Sequence, residues 1–167
     1  FQQIAAAVMS ERFDDLLHQA NPPFIYAEAY DSDNFMIAKT KGAWTAAALV
    51  KEGEIDAAMH TLVTETQRVK QFGFTPSEYE RARNEYLSTL EKQYSNFPTS
   101  KNDYFTQIYI NNFIENSPIT AVDYEYGQMK DLVMMLPVDA VNERVKDIIT
   151  DKNLVIMSLC PDADGIV

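Results

Sequence analysis

The chain has little of several things that chemistry-bearing proteins usually show. It holds one cysteine, two histidines and five glycines in 167 residues. A single cysteine, Cys160, forms no internal disulfide and supplies no cysteine-based zinc cluster. Lying between Leu159 and Pro161, it reads as a small hydrophobe in or beside a strand. The few glycines include no phosphate-binding loop and no Gly-x-Ser-x-Gly elbow. Neither His18 nor His60 belongs to a His-Glu-x-x-His, His-x-x-Glu-His or His-x-x-x-His pattern. Basic residues are scarce as well. Against 25 Asp and Glu stand 14 Lys and Arg, a formal charge of −11, so no basic stripe is present to hold a phosphate backbone. No apolar run approaches the roughly 20 residues of a membrane-spanning helix. No signal peptide is visible, and a chain that starts at Phe1 reads as a piece of a longer polypeptide. The compartment stays open between periplasm and cytoplasm.

What is present is a globular composition, 46% apolar and 23% charged, enough for a core in one domain spanning residues 1–167. Ile4, Val8, Phe13, Leu16 and Leu17 recur at helical spacing ahead of Asn21-Pro22-Pro23, which cannot continue a helix. Alternation then predicts strands over 24–30, 35–40 and 43–50, joined by Asp31-Ser32-Asp33-Asn34 and Lys41-Gly42. Ile55, Met59, Leu62, Val69 and Phe72 form the apolar stripe of a helix, with acids at its front and bases at its back. Gly73 suits the position just past its end. Thr75-Pro76-Ser77-Glu78 is a capping box with proline at the first helical position, and Phe74 and Tyr79 suit a hydrophobic staple. Further helices are predicted over 76–94, 100–115, 120–136 and 138–149, then an apolar strand over 153–160 and a tail. The expectation is an α+β fold: an antiparallel three-strand meander plus a C-terminal strand, with about five helices on one face.

The residues themselves reveal no catalytic centre. His18 sits at a helix end and His60 on a helix flank, both ordinary places for a polar group. Glu78, Glu80 and Glu85 suit capping and a solvated face.

The order of several motifs resembles a known family. Gly73-Phe74-Thr75-Pro76-Ser77-Glu78-Tyr79-Glu80-Arg81-Ala82-Arg83 resembles the G-[FV]-T-x-x-E-[LY]-x-R-A-[KR] segment of the pitrilysin/insulinase zinc metallopeptidases. Glu65 and Arg68 resemble its E-x-x-R spacing, and Met9–Phe13 its L-x-x-R-L helix. Pro22–Ala27 and Asn153–Met157 resemble its following and closing strands. The resemblance runs from about Ala6 to Leu159. It implies a non-catalytic domain, because the family's zinc motif, H-x-x-E-H, is missing. Zinc and peptide hydrolysis would then belong to another domain of the parent, and this chain would hold no catalytic residue, metal or cofactor. Its partners would be the parent's other domains and a peptide substrate. Some non-catalytic domains of the family carry an Arg and a Tyr that hold the substrate backbone, in a pattern like L-R-x-x-x-x-L-x-Y. Those positions fall on His18 and on Ile25 or Tyr26, so the pair is not preserved. His18 and Tyr26 are the candidate substrate contacts. From a different class, the alternative is a structural or protein-interaction module of a parent without catalysis.

Overall fold

The computed structural model describes residues 1–32 and 41–160. Six α-helices, one 3-10 turn and two strands occur among them, in the order α1 (Gln2–Leu17), β1 (Tyr26–Ser32), β2 (Ala43–Leu49), α2 (Ile55–Phe72), α3 (Pro76–Asn96), the turn Phe97–Thr99, α4 (Asn102–Glu115), α5 (Val122–Met135) and α6 (Val138–Ile148). The chain divides into two compact units. One comprises Phe1–Ala82 and the segment from Pro137 on; the other is Arg83–Leu136. Among the described residues no helix is long and apolar enough to cross a membrane.

In the first unit, β1 and β2 pair antiparallel with Ala29 opposite Ala46 and Tyr26 opposite Leu49. Helix α1 packs on β1, α2 on β2, and α6 on both α1 and α2. The reason lies in the buried faces. Helix α1 buries Ile4, Val8, Met9 and Phe13, and the Phe13 ring meets Phe24 edge-on with centroids 5.9 Å apart. Helix α6 buries Val141 and Val145, one turn apart. Where α2 ends, Gly73 adopts φ 74° and returns its N–H to Val69 O at 2.8 Å. At once the chain re-enters a helix through the capping box. Glu78 N–H donates to Thr75 Oγ1 at 3.3 Å, and Glu78 Oε2 accepts from Thr75 N–H at 2.8 Å. Phe74 and Tyr79, on either side of the cap, are both buried.

The second unit is built differently. Tyr94 on α3 stacks on Tyr126 of α5, centroids 4.3 Å apart and nearly parallel. Phe97 meets Tyr104 and Phe105 edge-on. Helix α4 ends on Asn116 in the left-handed region, φ 56°. On α5, Val133 is buried, while Val122, Tyr126 and Met129 on the same face are half-buried.

This architecture corrects the expected fold class. The described sheet has two strands, not a meander of three with a fourth closing it. The expected strand over 35–40 lies outside the described residues, and the two described strands, β1 and β2, pair with each other. The expected closing strand over 153–160 is not a strand. Leu154, Val155, Ile156 and Leu159 are largely exposed there, and Cys160 has Ser158 Oγ at 3.3 Å from its sulfur. A physical reason is visible at β1. Ser10 of α1 accepts from Ala29 N–H at 2.9 Å and donates to Ala29 O at 3.0 Å, which uses the main-chain groups that another strand would need. Among the described residues the helices number six, not five, and α4 buries none of its residues. One stripe also differs in detail: α2 buries Ala58, Glu65 and Val69, while Phe72 is exposed.

Candidate functional site

The resembling motifs meet in the first unit. Arg12 of α1 donates through Nε to Glu78 Oε1 at 2.9 Å, and its Nη2 lies 2.7 Å from the same oxygen. Its Nη1 is 3.7 Å from Glu65 Oε2, and its guanidinium lies 5.7 Å from the centroid of the Phe74 ring. Glu65 is the buried charged residue among the described ones, and it accepts from Arg68 Nη1 at 2.7 Å. One turn into α3, Arg81 reaches back to α1. It donates to Glu11 through Nε and to Asp15 Oδ2 through Nη2 at 2.8 Å. Three helices are thereby joined by alternating charge.

Position in the helices explains the convergence. Glu11, Arg12 and Asp15 are neighbours on one side of α1. Glu65 and Arg68 lie three residues apart on α2 and pair along it. The capping box brings Glu78 to the very start of α3, within reach of α1. Behind the cap, Asn142 of α6 grips the main chain of Phe74. Its Oδ1 accepts from Phe74 N–H at 2.7 Å and its Nδ2 donates to Phe74 O at 3.0 Å. That grip lies against Gly73, where a Cβ would stand 2.6 Å from Asn142 Cγ. Glycine is therefore required twice here, by its positive φ and by this close approach.

Electrostatics follow from the contacts. Burial pushes the Glu78 carboxyl up, but the hydrogen bonds from Thr75 N–H, from the Thr75 hydroxyl and from Arg12 outweigh it and hold the group below its ordinary 4.5. Arg81 is held above its ordinary value by its bonds to Glu11 and Asp15. Beside the network an open cleft of about 490 Å³ is lined by the polar Arg12, Asp15, Glu65 and Arg68 and the apolar Leu16 and Phe72, among others. Among the described residues no group of three or more His, Cys, Asp or Glu is placed to hold a metal ion.

The two candidate substrate contacts do not join this network. His18 lies at the end of α1, exposed, with Nδ1 2.8 Å from Asp14 O. Tyr26, half-exposed on β1, donates its hydroxyl to Glu28 Oε2 at 2.7 Å, and that bond raises its pKa above 10.0. Each is occupied with a near neighbour in its own element. His60 has Thr64 Oγ1 at 3.5 Å on the exposed side of α2. Sequence reading missed Asn142, which carries no motif, and the burial of Glu65, which an acidic residue on a charged helix does not advertise. Its spacing three residues before Arg68 was the one available signal. No family model, curated protein or solved structure matches the chain.

Proposed function

We propose that the chain is a non-catalytic domain of a pitrilysin/insulinase-like zinc peptidase, a supporting wall for a peptide-binding chamber whose zinc lies in another domain of the parent. The observation that supports this reading is the mutual engagement of the resembling motifs. Arg12 of α1 meets Glu65 of α2 and Glu78 of α3, with Arg68 on Glu65, and Arg81 of α3 pairs separately with Glu11 and Asp15 of α1. Groups held in this way brace helices; they neither shuttle protons nor attack a carbonyl. A wall of this kind raises the efficiency of a neighbouring centre by orienting an extended peptide, without supplying a ligand or a base. The chain's acidity would favour basic peptides, an effect that salt screens.

The test is elemental analysis of the purified chain after incubation with zinc and desalting, alongside a peptide-hydrolysis assay. The expected result is zinc far below one per chain and no hydrolysis, with Arg12→Ala lowering stability only. Near-stoichiometric zinc, lost on His18→Ala or His60→Ala, would overturn the reading and make the chain an enzyme in its own right.

A further inference from the structure

We draw no further inference here: the strongest candidate, the exposed apolar face of α4 formed by Tyr109, Ile110, Phe113 and Ile114, carries nothing because nothing in the structure shows what covers it.

Discussion

Replacing Glu78 by Gln separates the two roles of this side chain. The glutamine carbonyl can still accept from Thr75 N–H, so the capping box is kept. What is lost is the charge that faces Arg12, whose Nε and Nη2 both point at Glu78 Oε1. The new amide group then meets the guanidinium donor to donor. A hydrogen bond to a charged group contributes about 1.5–3 kcal/mol when removed. The Glu78 side chain is 21% exposed, and Arg12 keeps a weaker neighbour in Glu65 at 3.7 Å. Solvent screening and that fallback reduce the expected cost to about 1–2 kcal/mol at pH 7. The pH dependence has a definite sign. Glu78 is held below its ordinary 4.5, so its contribution is fully present above pH 4.5 and is lost as pH falls through the folded-state value. Wild type and variant should therefore converge in acid, because protonated Glu and Gln are nearly equivalent against Arg12. Urea denaturation followed by the fluorescence of Trp44, the only tryptophan and a residue of β2, reports on the unit concerned. A cost that is the same at pH 7 and well below pH 4.5 would refute the argument, as would a negligible cost at pH 7.

Three other substitutions probe the same unit by the same assay. Gly73→Ala should cost about 2–3 kcal/mol, from the left-handed backbone and the approach to Asn142 together. Part of that cost should vanish in the background Asn142→Ala, and strict additivity would show that the close approach is not the cause. Ser10→Ala leaves Ala29 N–H and C=O without their partner and should cost about 1–3 kcal/mol, whereas a loss within experimental error would mean that water replaces the hydroxyl. Phe13→Ala removes a fully buried ring packed on Phe24 and should cost about 3–5 kcal/mol, lowering the denaturation midpoint more than any of the others.

Local chemistry by itself determined most of the helical frame. The turn at Gly73, the capping box at Thr75–Glu78 and the proline-bounded breaks each depend on a few adjacent residues, so they are legible without knowledge of neighbours. Strand pairing is another matter. Leu154–Cys160 is a nearly continuous apolar run like a strand, but a strand is stable only beside another, and Ser10 holds the groups that Ala29 would have offered. The same limit applies to Phe72 and Glu65. Periodicity assigned the aromatic ring to the core and left the carboxylate unplaced. The tertiary structure exposes the first and buries the second, because Arg12 and Arg68 arrive from one side and from the next turn to neutralise it. Asn142 has no signature at all until α6 brings it to Phe74. Sequence alone determines what can be settled within one or two turns of backbone. Burial, pairing and charge neutralisation depend on which distant groups arrive, and only the tertiary structure decided those.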